Sequence, residues 1–99
     1  MAMAVDHLYI VVYDICDQKR WRRVYKTVKS FGQWVQLSVF QCVLSKKKLL
    51  KMEHELEDCI KQDEDHVLIA DLGPADRVNL RFKSLGKGFE PLERKATII

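Results

Sequence analysis

Apolar positions along the chain change their period several times, and each change marks an element. Residues 7–13 (HLYIVVY) are continuously apolar and rich in β-branched and aromatic side chains, the pattern of a central strand buried on both faces. After a polar stretch, Trp21, Val24, Tyr25, Val28 and Phe31 recur at helical spacing while Arg22, Arg23, Lys26 and Lys29 occupy the other face. This predicts a helix of about three turns, stopped by Gly32. Residues 33–44 (QWVQLSVFQCVL) alternate but are too long for one typical strand, so two strands are expected, divided near Leu37 and Ser38. Ser45 reads as the N-cap of a second helix that buries Leu49, Met52, Leu56, Cys59 and Ile60. Residues 66–72 (HVLIADL) make a fourth strand, closed by Gly73 and Pro74.

Strand, helix, strand, strand, helix, strand is the split βαβ order of a ferredoxin-like α+β domain, an antiparallel sheet with two helices on one face. With 99 residues there is room for a single domain, its core over about 6–73. Residues 78–85 (VNLRFKSL) alternate weakly and are expected to form a fifth strand, leaving 86–99 as a tail. A domain this small buries only about two-thirds of its unfolded surface, and such a sheet leaves one face without helices. A homodimer through that face is therefore expected.

Charge adds a direction to the picture. From residue 18 to residue 52 there are ten basic side chains and no acid; from 53 to 71 there are eight acids against Lys61 alone. Lys19, Arg20, Arg22 and Arg23 crowd the start of the first helix, where they add to the positive end of its dipole. A bound polyanion relieves that repulsion, so these residues and Lys26 are expected to contact nucleic acid. Trp21 and Trp34 fit core packing better than base stacking. No apolar run approaches the ~20 residues of a membrane span. MAMAVDH has neither the basic nor the apolar region of a signal peptide, and three cysteines cannot all pair. A reduced, cytoplasmic protein without a membrane partner is expected.

Catalytic inventory is sparse. Asp14 closes the first strand, where a rigid element can aim its carboxylate, and Asp17 stands in reserve. One carboxylate makes a poor Mg²⁺ site, but two copies facing each other across a two-fold axis supply two. His7, His54 and His66 are dispersed and read as surface residues; Cys42 and Cys59 as core; Cys16 as a weak candidate thiol. Gly-rich phosphate loops and nucleophile elbows are absent.

An apolar strand ending in Tyr13-Asp14-Ile15, a following Asp17, a basic helix start, Gly32, and Gln36 with Ser38-Val39-Phe40 resemble the N-terminal half of the small CRISPR-associated adaptation proteins. These are integrase-partner subunits, also named CRISPR-associated endoribonucleases. The resemblance implies a ferredoxin-like homodimer that binds double-stranded DNA as a scaffold for integrase dimers during spacer acquisition. It further implies endonuclease activity on DNA or single-stranded RNA, with Mg²⁺ or Mn²⁺ on Asp14 as the metal-binding and catalytic residue. By the same resemblance, Tyr13, Arg23, Ser38 and Phe40 belong to the surrounding cleft. Fold alone leaves another class open, a ferredoxin-like RNA-binding or regulatory module outside CRISPR.

Overall fold

The computed structural model describes residues 5–86. Its elements are β1 (His7–Asp14), α1 (Gln18–Lys29), β2 (Gln33–Gln36), β3 (Val39–Leu44), α2 (Lys46–Cys59) and β4 (His66–Pro74), followed by a 3₁₀ turn, Ala75–Arg77. The strands pair antiparallel in the order β2-β3-β1-β4, which makes the domain α+β and ferredoxin-like. β1, the most apolar segment, takes a central position between β3 and β4, as a strand with two buried faces requires.

Alternation sorts the sheet's side chains. Tyr9, Val11 and Tyr13 of β1 and Phe40, Cys42 and Leu44 of β3 pack against Val24 and Val28 of α1 and Leu49, Met52, Leu56 and Cys59 of α2. Burial pushes the Cys42 thiol up to about 11, so it acts as a small core hydrophobe. The other residues of β1 emerge on the opposite face, where Leu8 pairs with Val43, Val12 with Val39 and Leu68, and Asp14 with His66. No helix among the described residues covers that face, and Val43 and Leu68 stay 52% and 55% exposed. None is long and apolar enough to cross a membrane.

Local chemistry sets the boundaries. Asp17 caps α1 by accepting from the Arg20 N–H (2.9 Å), and Ser45 caps α2 by accepting from the Lys48 N–H (3.2 Å). Leu37, at φ 39°, makes the β2–β3 turn that the sequence placed at Leu37 and Ser38. β4 runs through Gly73 to Pro74 rather than stopping before them, because Gly73 takes φ 103° at the irregular β1–β4 register.

The fifth strand expected over 78–85 does not form. Ala75 donates its N–H to the Asp6 carbonyl (2.9 Å), which carries the chain toward the start of β1 and away from the free edge of β4. The segment meets no strand partner among the described residues, and its Phe82 and Leu85 are exposed. Of the tail expected over 86–99, only Gly86 lies within the described residues.

Candidate nucleic-acid and metal site

Asp14 is the last residue of β1 and is exposed, whereas Tyr13 before it points into the core at 3% exposure. By alternation the Asp14 carboxylate belongs to the helix-free face, at its rim. Directly opposite it in the β1–β4 register is His66, also exposed. Sequence reading set His66 aside as a surface histidine, yet a signal was there: Asp14 closes the first apolar run and His66 opens the last. Antiparallel pairing of those two runs over their full length brings their ends together. Among the described residues, no three His, Cys, Asp or Glu side chains in one chain form a metal-binding group. One exposed carboxylate is fewer ligands than a hard divalent cation takes from a protein site of its own.

Asp65, next to His66, holds the loop that follows Asp14. Its side chain is fully buried and accepts from the Cys16 N–H (3.0 Å), the Lys61 N–H (2.8 Å), and Arg20 through Nε (2.7 Å) and Nη2 (3.2 Å). Arg20 Nη2 also donates to Glu64 (3.1 Å), and the Cys16 thiol donates to the Glu64 carbonyl (3.0 Å). A buried carboxylate needs such compensation. The Arg20 guanidinium, helped by the two N–H donors, holds the Asp65 carboxyl well below the usual carboxylate range. A group depressed in the folded state stabilises above its unfolded value, near pH 4, and that contribution fades as pH falls toward the lower folded value. Thermal melts should show Tm falling steeply below about pH 4. In Asp65→Asn, Tm should already be lower at neutral pH and the acid slope shallower; an unchanged slope would mean that Asp65 is not the linked group.

Arg20, expected to contact nucleic acid, is also engaged internally, its guanidinium shared between Asp65 and Glu64. Asp17 accepts the capping hydrogen bond of α1 through Oδ2. Tyr13 and Phe40 do not line an open cleft. Phe40 is fully buried, Tyr13 stacks on it with centroids 6.2 Å apart, and Trp21 meets Tyr13 edge-on at 6.3 Å. The Tyr13 hydroxyl is buried without a hydrogen-bond partner, and burial drives its ionisation upward. Ser38 lies at the β2–β3 turn, its Oγ accepting from Trp21 Nε1 at 3.5 Å. Both tryptophans pack against the core, as expected; Trp34 Nε1 donates to the Leu37 carbonyl (2.9 Å).

Lys19, Arg22, Arg23 and Lys26 remain exposed on α1, which begins at Gln18, four residues after Asp14. Glu53 and Glu57 line a groove between α2 and β4 that also reaches Asp65 and His66, so charge that repels a polyanion adjoins the residue opposite Asp14.

The family model described as CRISPR associated protein Cas2 matches residues 7–79, the whole of the βαββαβ unit. The chain belongs to the Cas2 family. CRISPR-associated endoribonuclease Cas2 1 of Rhodospirillum rubrum is 57% identical over 94 residues, covering 95% of this chain and 92% of that one. CRISPR-associated endoribonuclease Cas2 of Geobacter sulfurreducens is 52% identical over 95 residues, covering 96% and 100%. A crystal structure of a Cas2 protein superposes with a TM-score of 0.71 at 36% identity, covering 89% of this chain and 95% of that one. Membership of the Cas2 family gives the chain a CRISPR-associated function and displaces the alternative of a regulator outside CRISPR.

At the far end of β1, His7 Nδ1 lies 2.8 Å from Asp71, whose carboxyl this contact lowers. His54 is exposed on α2. His66 is the histidine opposite Asp14 in the β1–β4 register.

Proposed function

We propose that the protein is the dimeric nucleic-acid-binding subunit of a CRISPR adaptation complex, bridging integrase dimers during spacer acquisition. The observation that carries this reading is the helix-free apolar face of the sheet, with an exposed Asp14 at its rim, in a chain whose α1 also exposes Lys19, Arg22, Arg23 and Lys26. Two copies meeting through that face bury Val43 and Leu68, bring their Asp14 residues to one two-fold axis, and present two α1 surfaces to one duplex. Each neutralised phosphate contributes about −0.9 to the slope of log K against log salt.

A DNA-binding titration over a range of salt, run beside integrase-dependent insertion of a DNA duplex, tests it. Replacing Lys19, Arg22 and Arg23 by Ala should weaken binding, flatten the slope by up to about 3, and reduce insertion. Affinity, slope and insertion that all match the parent protein would leave the basic face as a solubility feature and remove the scaffold reading.

A second reading is supported by the Asp14–His66 register and by the endoribonuclease names of the relatives. In it the paired Asp14 carboxylates hold Mg²⁺ or Mn²⁺, and the dimer hydrolyses phosphodiesters. Such an ion, when bound, stabilises the charge that builds on the phosphoryl oxygens. The chain's own contribution is to fix the carboxylates at a strand end, anchor the following loop through Asp65, and draw the polyanion in with α1.

A further inference from the structure

We infer that Leu37, in the β2–β3 turn, is a nucleic-acid contact that presses its apolar side chain into the minor groove of a bound DNA duplex. The inference rests on the nucleic-acid-binding subunit proposed above and adds a contact that charge alone does not supply.

Gln36 pairs with Val39, so Leu37 and Ser38 form a two-residue hairpin loop. At φ 39°, Leu37 is the one residue other than glycine with a positive φ among the described residues. Hairpin loops place Gly, Asn or Asp in that conformation, and leucine adopts it under strain. Burial does not offset the strain, because Leu37 is 76% exposed. The turn is nevertheless held firmly: Trp34 Nε1 donates to the Leu37 carbonyl (2.9 Å), the Tyr13 N–H to the Ser38 carbonyl (3.2 Å) and Trp21 Nε1 to Ser38 Oγ (3.5 Å). Neither backbone preference nor core packing therefore accounts for a leucine here. A side chain that is strained, exposed and fixed in direction fits a contact outside the chain.

Neighbouring charge says what it meets. Trp21, bonded to the turn, stacks on Tyr25 with centroids 5.5 Å apart, and Lys29 Nζ lies 5.8 Å over the Tyr25 ring. One line of contacts thus runs from the turn along α1 to a cation. Arg22, exposed, follows Trp21 on the same helix. The stretch from residue 18 to residue 52, which holds α1, the turn and β3, carries ten basic side chains and no acid. Asp14 follows Tyr13 at this end of the sheet, and the cations outnumber it. Such a surface attracts a polyanion. Proteins that bind the minor groove set cations on the phosphates and press an apolar wedge, leucine among them, against the bases.

The test titrates the full chain with a fluorescent DNA duplex at several salt concentrations. Leu37→Gly and Leu37→Asn, both tolerant of a positive φ, should weaken binding by about tenfold, the worth of a leucine side chain returned from an apolar contact to water. The slope of log K against log salt should keep its parent value, because no phosphate contact is lost. Leu37→Met, which stays apolar, should keep most of the affinity. Tm of the Gly and Asn variants should match or exceed that of the parent, since the strain is relieved, and their sedimentation mass should not change. Gly and Asn variants that bind the duplex like the parent would overturn the inference. So would weaker binding accompanied by a lower Tm or a lost dimer, which would make Leu37 a structural residue. Loss of integrase binding with duplex affinity intact would make it a protein contact and overturn the inference as well. A parent protein that binds no duplex would remove the proposed function itself, and Leu37 with it.

Discussion

Asp14→Asn is expected to lower metal-dependent cleavage by at least about 10²-fold, because the metal's share of transition-state stabilisation is several kcal/mol. The amide keeps the volume of the side chain and removes its charge. In the proposed dimer one substitution removes both carboxylates of the site. Asp14 is exposed at a strand end, so stability should change by no more than about 0.5 kcal/mol. DNA insertion by the integrase complex should survive, because bridging depends on the dimer and on α1. Cleavage at the parent rate would point to a different site or a contaminating nuclease. Loss of insertion with dimerisation and DNA affinity intact would give the carboxylates a chemical part in the complex and end the scaffold reading.

The largest stability effect is expected from a residue far from the chemistry. Gly32 does not take a left-handed conformation; it matters because a Cβ there would collide with the Gln41 carbonyl oxygen and the Cys42 sulfur. Neither neighbour can retreat cheaply. Gln41 belongs to the β2–β3 ladder, opposite Gln33, and Cys42 is 1% exposed in the core. Overpacking of this kind costs about 1–3 kcal/mol and sometimes more, and a backbone obstacle places Gly32→Ala at the upper end. Tm should fall by more than about 10 °C in a thermal melt of a domain this size. Adding Cys42→Ala should not restore it, because the carbonyl remains. A Tm within a few degrees of the parent would show that the α1–β2 connection yields more easily than its packing implies.

Gly32 also shows how sequence and structure divide the information. Its place after α1 was legible from periodicity, but its role was not: α1 already ends at Lys29, and the constraint is contact with β3, ten residues on. The element order was legible because each buried run carries its own period, and Ser45 was legible because capping is local. The pairing of Arg20 was not legible because a charge pattern does not reveal a partner at Asp65, in a loop beyond the second helix. Tyr13 and Phe40 share a family motif with Asp14, yet alternation sends them to the opposite side of the sheet. The 78–85 strand failed for a related reason, since alternation says nothing about whether a partner edge is within reach. Asp14 itself could be singled out at once, while His66 required the register of two strands far apart in the chain.

Everything proposed for Asp14 depends on two copies meeting through the helix-free face, and sedimentation equilibrium of the full chain at micromolar concentration measures that directly. Two-fold pairing predicts a mass twice the 11.6 kDa of the chain, returning to 11.6 kDa when Val43 and Leu68 are both replaced by Asp. A parent protein that sediments at 11.6 kDa, or a dimer indifferent to both substitutions, would contradict it.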